Sequence, residues 1–168
     1  MIWYKTKRSD LSAAKIADRH YSRQTIGSPQ FTPPGRVLVM VTKGYDALWA
    51  TSWPYAEYVN REFPDAWVNC IFRNESNRLA SEMILQAIAA TRAIFGEPPA
   101  DGMVTMIDTE KVMPIKRRGS PIWGYTYLKS GFKQVSKTKS GLLIFQLRAQ
   151  DMPDPKLPNA TQMKFPGI

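Results

Sequence analysis

A strand followed by a tight polar turn and a long helix, in residues 68–96, constrains the fold of this chain most. The run Val68–Phe72 is apolar and rich in β-branched and aromatic residues, which is typical of a buried strand. From Asn77 onward, apolar residues recur at helical spacing for about five turns, and Gly96 with two prolines beyond it marks a helix end. The first N–H groups of a helix have no partner inside it and favour an anion. The segment therefore predicts either an anion site or an ordinary connection with a Ser or Asn cap.

The rest of the chain predicts strands and helices in alternation around this segment. In order they are a strand, a helix capped by Asp10, a β-hairpin, the central strand and long helix, a strand, a short helix and a last strand. A helix between two strands of one sheet is a parallel crossover, so the sheet should be mixed. We expect one α/β domain in residues 1–150, with a mixed central sheet flanked by helices, and a proline-rich extended tail in residues 151–168.

Composition narrows the classes of protein to which this chain can belong. No apolar run approaches the roughly 20 residues that span a bilayer, and the chain does not open on a secretory signal. The single cysteine, Cys70, allows no internal disulfide. We therefore expect a cytoplasmic protein with no membrane partner, and the sequence leaves its oligomeric state open, a homodimer included.

The positive charge of the chain is concentrated in one segment. Of 23 Lys and Arg residues, nine lie between Lys111 and Gln150, where no Asp or Glu occurs, and the net charge of the whole chain is +9. A basic segment free of acids favours a polyanionic partner, above all nucleic acid, over an ordinary lysine-rich surface. The candidate DNA-binding residues are Lys116, Arg117, Arg118 and Lys129.

Residues 124–133, GYTYLKSGFK, resemble the last signature of the GNAT acyltransferase superfamily. There a short helix bears a Tyr and ends in a Lys-x-Gly-Phe turn before the final strand, and the predicted order of elements is also that of the GNAT fold. The resemblance implies a donor cleft where the strand ending near Phe72 and the helix from Asn77 diverge from their neighbours. It also implies that Tyr127 acts as a general acid toward the departing group.

The helix start departs from the GNAT pattern of Arg/Gln-x-x-Gly-x-Gly/Ala. The matching residues are 75–80, of which only Ala80, with Ser81 after it, fits. Glu75 would repel a phosphate, and Arg78 places a large side chain where the pattern has bare backbone, although Arg78 could itself pair with a phosphate. We therefore expect weak binding of acetyl-coenzyme A and another activated donor, such as an aminoacylated carrier. The candidate donor-binding residues are Arg73, Ser76, Asn77, Arg78, Ala80 and Ser81.

Five positions resemble the Mom DNA-modification proteins of phage Mu and its relatives, which are GNAT-like. They are the pair His20 and Tyr21, Arg73 after the central strand, Asp108 after the next strand, and a downstream Tyr. This resemblance implies transfer of a carbamoylmethyl-type group to the N6 amine of adenine in phage DNA, which blocks restriction. It also implies a phage-infected or prophage-bearing bacterial host.

The candidate catalytic residues are His20, Tyr21, Asp108 and Tyr127. His20 could be a general base or a metal ligand, or simply a satisfied core or capping residue. Asp108 stands where open α/β sheets place chemistry, or it caps a turn. One His and one Cys cannot form a closed zinc site, but His20 with Asp108 could hold a harder metal.

The expected function is transfer of a small acyl-derived group to adenine in DNA, which requires a single strand or an extruded base. The loop of residues 27–35 would shape the acceptor pocket. Two alternatives remain from the sequence. One is a GNAT-fold nucleic-acid-binding protein without catalysis, and the other is an ordinary acetyl-coenzyme A-dependent N-acetyltransferase.

Overall fold

A mixed β-sheet with helices on both faces forms the fold in the computed structural model, which describes residues 1–29, 31–55 and 62–160. In chain order the elements are β1 (Trp3–Thr6), α1 (Leu11–Asp18), β2 (Gly35–Thr42), β3 (Ala47–Pro54), β4 (Trp67–Asn74), α2 (Ala80–Phe95), β5 (Met103–Ile107), β6 (Ile115–Arg117), β7 (Ser120–Ile122), α3 (Tyr125–Lys129), β8 (Lys133–Lys137) and β9 (Leu143–Leu147). A 3-10 turn at Ala149–Asp151 follows. Gln30, in the loop expected to shape the acceptor pocket, and residues 161–168 of the tail lie outside the described residues.

Seven strands form the main sheet, in the order β1-β2-β3-β4-β5-β9-β8. Only β4 and β5 pair in parallel, and α2 is the crossover between them. The predicted mixed sheet in a single α/β domain is therefore confirmed. Strands β6 and β7 form a separate antiparallel hairpin.

The two faces of the sheet are covered by different helices. Because side chains of a strand alternate between faces, β2 divides its apolar residues between two cores. Leu38 and Met40 belong to the core that contains α2, whereas Val39 and Val41 belong to the core that contains α1.

The gap that matters for function lies between β4 and β5. These strands pair only at Trp67 with Met103 and at Val68 with Val104. Beyond these pairs, β4 continues along β3 and β5 continues along β9, so the two parallel strands separate. A β-bulge in β4 falls just after this point: Ala50 pairs with Ile71 and Thr51 with Asn69, which leaves Cys70 as the extra residue.

Helix α2 begins at Ala80, three residues later than predicted, and the predicted Ser or Asn cap is absent because Leu79 occupies the N-cap without a side-chain bond. The polar side chains of the turn form hydrogen bonds within the turn itself. The Oδ1 atom of Asn74 accepts from the backbone N–H of Ser76 at 2.9 Å and from its hydroxyl at 2.5 Å. The Nδ2 of Asn74 donates to the carbonyl of Arg78 at 3.0 Å, which holds the turn closed. The helix ends at Phe95, before Gly96, as predicted.

Two elements of the basic segment were not predicted. Residues 111–120, which give no strand pattern in the sequence, contain most of the β6–β7 hairpin, whose two-residue turn has positive φ at Arg118 (49°) and Gly119 (78°). Positive φ at both central residues suits the twist of a tight hairpin. The other element is β8, an exposed edge strand with the sequence KQVSK. Its mostly polar residues give no apolar alternation from which a strand could be recognised.

The described part of the tail runs extended along the domain. The guanidinium of Arg92 donates to the carbonyl of Pro153 at 2.9 Å, and the backbone N–H of Lys156 donates to the carbonyl of Ala89 at 3.0 Å. Asn159 then pairs with the edge strand β1, where its N–H donates to the carbonyl of Trp3 at 2.9 Å. Within the described residues, no helix has both the length and the apolar character needed to cross a bilayer.

Candidate active site

Two cavities meet where β4 and β5 separate. The α3 cavity, of about 410 Å³, lies against α3 and the start of α2, and the α1 cavity, of about 870 Å³, lies beside the loop that follows α1. Tyr21, Cys70 and Met106 line both cavities. A compartment near a helix N-terminus and a larger compartment therefore adjoin at the gap in the sheet.

Tyr127 presents its hydroxyl group at this gap. The hydroxyl donates to Oδ1 of Asn69 at 2.5 Å, and the ring stands edge-on to Phe72 and Phe132, with centroids 6.5 and 5.2 Å away. Burial raises the pKa of Tyr127 well above its ordinary value of 10. The phenol is therefore protonated at neutral pH and can supply a proton to a leaving group.

Asn69 was not predicted as a site residue, although the structure makes it the partner of Tyr127. It is buried in β4, and its Nδ2 donates to the carbonyls of Ala50 at 3.0 Å and of Ile71 at 3.1 Å. These bonds fix the amide so that its oxygen faces Tyr127. The sequence did contain one signal for Asn69: it lies inside an apolar strand, and Asn is depleted in strands.

His20 and Tyr21 lie at the boundary of the two cavities. Their rings are 4.5 Å apart, and the hydroxyl of Tyr21 donates to the carbonyl of Met106 at 3.0 Å. The Nδ1 of His20 accepts from the backbone N–H of Ser22 at 3.2 Å and lies 2.7 Å from the Ser22 hydroxyl. Because Nδ1 accepts, Nε2 of the neutral ring carries the hydrogen.

Burial, and next the charge of Arg73, lower the pKa of His20 to about 4. As the pH falls below 6.5, the ordinary pKa of histidine, His20 of the unfolded chain binds a proton before His20 of the folded chain does. The stabilisation by neutral His20 is therefore complete above pH 6.5 and is lost as the pH falls to 4, by up to about 3 kcal/mol. Urea unfolding at several pH values should show this slope in the wild type and a flatter one in His20→Gln.

The loss of stability caused by His20 begins at a higher pH than the loss caused by Glu75, the acidic group nearby. Hydrogen bonds from Arg19 and Arg73 lower the pKa of Glu75 to about 2, so its contribution is lost only below its ordinary value of 4.5. Equal slopes in the wild type and His20→Gln between pH 6.5 and 4.5 would contradict the assignment of a buried neutral His20.

Asp108 both caps a turn and lines the α1 cavity. Its Oδ1 accepts from the backbone N–H of Glu110 at 3.0 Å, and its Oδ2 lies 4.0 Å from Nζ of Lys111. His20 lines the α3 cavity instead, and Tyr21 stands between the two. In the part of the chain that the structure describes, no three His, Cys, Asp or Glu side chains cluster in a way that could hold a metal ion.

Glu75 does not present a free negative charge to the cavity. Its carboxylate accepts from Arg19 at 2.6 and 2.7 Å and from Nε of Arg73 at 2.6 Å. Arg73 also donates to the carbonyl of Arg19 at the end of α1, at 2.7 Å, and it lines the α3 cavity. The three side chains keep one net positive charge at the rim.

The other predicted donor-binding residues are divided by the structure. Ala80 lines the α3 cavity, whereas Ser76, Asn77, Arg78 and Ser81 lie outside its lining. Arg78 turns away to the β2–β3 turn, where NH1 lies 3.3 Å from Oδ1 of Asp46. The N-cap residue of α2, Leu79, makes no side-chain hydrogen bond to the first N–H groups of the helix, which begins at Ala80 in the cavity lining.

The predicted DNA-binding residues are exposed, but they are not equivalent. Arg117 donates to the hydroxyl of Tyr125 and stands 4.6 Å above its ring, while Nζ of Lys129 lies 5.7 Å from the same ring. Tyr125, which was not predicted, lines the α3 cavity. Of the nine basic residues in the segment, two have an acidic partner among the described residues, namely Lys111 with Asp108 and Arg148 with Asp151.

These features define a single-domain α/β protein with a mixed seven-stranded sheet and a cleft between its two parallel strands. Comparisons with models of protein families, with curated proteins and with solved structures found no match.

Proposed function

We propose that this protein transfers a small acyl-derived group, of the carbamoylmethyl type, to the N6 amine of adenine in DNA. The observation that carries the proposal is the meeting of two cavities at the gap between β4 and β5, with the Tyr127 hydroxyl beside it. A transferase needs a donor and an acceptor brought together from separate compartments at one reacting centre. The GNAT-like order of elements and the Mom-like positions point to the same chemistry.

In this proposal the donor occupies the α3 cavity and the amine enters from the α1 cavity. The amine nitrogen attacks the donor carbon that becomes attached to N6, which in a carbamoylmethyl group is the methylene carbon, and the bond from that carbon to the leaving atom of the donor breaks. Tyr127 turns its hydroxyl from Asn69 and gives its proton to the leaving atom, and the carboxylate of Asp108, which lines the α1 cavity, takes the proton lost by the amine. His20 and Tyr21, stacked at the boundary, orient the two reactants.

Size and charge favour DNA as the acceptor. The α1 cavity, of about 870 Å³, is in the range of cavities that hold whole ligands and can accept an extruded base. Exposed cations of the segment that have no acidic partner among the described residues give this surface a positive charge that attracts DNA. They are Lys116, Arg117, Arg118, Lys129, Lys133, Lys137 and Lys139.

The proposal is tested by mass spectrometry of nucleosides from plasmid DNA of cells that express this chain. A new mass derived from deoxyadenosine, absent from cells with the empty vector, is the expected result. Unmodified DNA that the purified protein still binds would overturn it in favour of a nucleic-acid-binding protein without catalysis.

A second candidate is an ordinary acetyl-coenzyme A-dependent N-acetyltransferase, and one observation favours it. Glu75 is held by two arginines and Arg78 by Asp46, so neither side chain obstructs the start of α2. The N–H groups at this helix start, which the N-cap side chain does not bind, suit a pyrophosphate together with Arg73.

Isothermal titration with acetyl-coenzyme A distinguishes the donors. A dissociation constant in the low micromolar range, about 8 kcal/mol of binding free energy, is expected if this helix start binds the pyrophosphate. Arg73→Gln should then weaken binding at least tenfold. If the wild type shows no binding heat, acetyl-coenzyme A is not the donor, and an aminoacylated carrier becomes the next to test.

A further inference from the structure

The β6–β7 hairpin projects from the rim of the α3 cavity and carries three consecutive cations. It stands apart from the main sheet, with Arg117 paired to Ser120 and Lys116 to Pro121. All residues from Ile115 to Pro121 are exposed, and no acidic residue occurs in the segment around them.

The pairing register separates the three cations. Side chains at alternate positions of a strand point to opposite faces, so Arg117 shares a face with Ile115 and Lys116 lies on the other face. Ile115 and Ile122 line the α3 cavity, and Arg117 contacts Tyr125 of α3, so this face is directed at the domain. Arg117 therefore attaches the hairpin to the cavity wall.

The outer face and the tip remain open to a partner. Lys116 and Arg118 form no ion pair or hydrogen bond with any described side chain, and Arg118 occupies the turn. Pro121, opposite Lys116, has no N–H to donate to an added strand. Pro121 thus disfavours strand addition to β7, and the two cations favour contact with negative charge.

The size of the hairpin suits one part of a DNA duplex. A two-stranded ribbon fits the major groove, which is about 12 Å wide, and strands of three residues extend for roughly 10 Å. The N6 amine of adenine is also displayed in the major groove. An arm in that groove would hold the duplex at the rim of the cleft while the target adenine is extruded into the α1 cavity.

We propose that the β6–β7 hairpin is an arm that enters the major groove beside the target adenine, with Lys116 and Arg118 on phosphates. Arg117 is a positioning residue that holds the arm on Tyr125 and contacts no phosphate. The inference rests on the proposed action on DNA.

The test is the slope of log affinity against log salt for a short duplex, because each phosphate that the protein no longer neutralises lowers this slope by about 0.9. Lys116→Ala with Arg118→Ala should lower the slope by about two units. The matched control, Lys133→Ala with Lys137→Ala on β8, removes the same charge from the same acid-free segment and should change it little. If the control pair lowers the slope as much as the hairpin pair, the arm is overturned while binding to DNA stands.

Arg117 is tested against Lys116 one charge at a time. Lys116→Ala should lower the slope by about one unit, and Arg117→Ala by clearly less. Arg117→Ala should instead reduce DNA modification, which Arg117→Lys should partly restore through its remaining charge over Tyr125. Equal slopes for the two alanine variants would overturn the positioning role.

The groove is tested by competition. A major-groove ligand such as methyl green should displace the protein, and a minor-groove ligand such as netropsin should not. The reverse result would overturn the assignment of the groove. A wild type without salt-dependent binding to any duplex would remove the proposed action on DNA, and the arm with it.

Discussion

Tyr127→Phe is expected to lower the rate of group transfer by about 10²- to 10⁴-fold, the usual range for loss of a general acid. The ring would keep its edge-on packing against Phe72 and Phe132, so only the hydroxyl is removed. Single-turnover transfer to adenine in a duplex, followed by mass spectrometry, measures the effect. The loss should be smaller with a donor whose leaving group needs no proton.

The stability of this variant should fall only moderately. Oδ1 of Asn69 loses its donor, which costs about 1–3 kcal/mol for a buried polar atom. The control is Tyr45→Phe, whose hydroxyl donates to Asp10 on an exposed surface and which should transfer at the wild-type rate. A Tyr127→Phe variant as active as Tyr45→Phe would contradict the role of the phenol as acid.

Gly124→Ala is expected to destabilise the protein strongly. Gly124 has φ of +67°, and an added Cβ would lie 2.7 Å from Cζ of Phe145 and 2.9 Å from Cδ1 of Ile107. Backbone strain of about 1–2 kcal/mol and overpacking of about 1–3 kcal/mol should lower the free energy of unfolding together. Urea unfolding measures the sum.

A second glycine separates the two contributions. Gly27 also has positive φ, +81°, but an added Cβ would meet no atom of the described residues within 4 Å. Gly27→Ala should therefore lower the free energy of unfolding by the backbone strain alone. Because Gly124 is the N-cap of α3, its substitution should also move Tyr127 away from Asn69 and reduce transfer. Equal stability of the two variants would show that Phe145 and Ile107 move away from the added Cβ without lowering the free energy of unfolding.

Much of the fold could be predicted because its signals are local. The apolar run of β4, the helical spacing of α2 and the stop at Gly96 each lie within one short segment, and each was confirmed. The start of α2 was wrong because Asn74 and Ser76 bind within the turn, a competition that helix-cap preferences do not reveal. The β6–β7 hairpin was missed because its strands are three residues long and polar.

The candidate site, like the fold, could be predicted from the sequence only in part. The types and order of His20, Tyr21, Asp108 and Tyr127 could be read from the chain, but their partners could not. Asn69 meets Tyr127 across 58 residues, and Arg19 meets Glu75 across 56. Such contacts depend on how elements pack, which no short window contains.

The amino-acid sequence by itself indicated the strands and helices other than β6, β7 and β8, the mixed sheet, and a basic segment that is free of acids. These properties follow from the periodicity and charge of neighbouring residues. Only the tertiary structure decided that Glu75 is neutralised, that Arg78 faces Asp46, and that Arg117 is bound to Tyr125 while its two basic neighbours pair with no described side chain. The physical reason is that the state of a charge depends on the groups within a few ångströms of it, and here those groups come from distant parts of the chain.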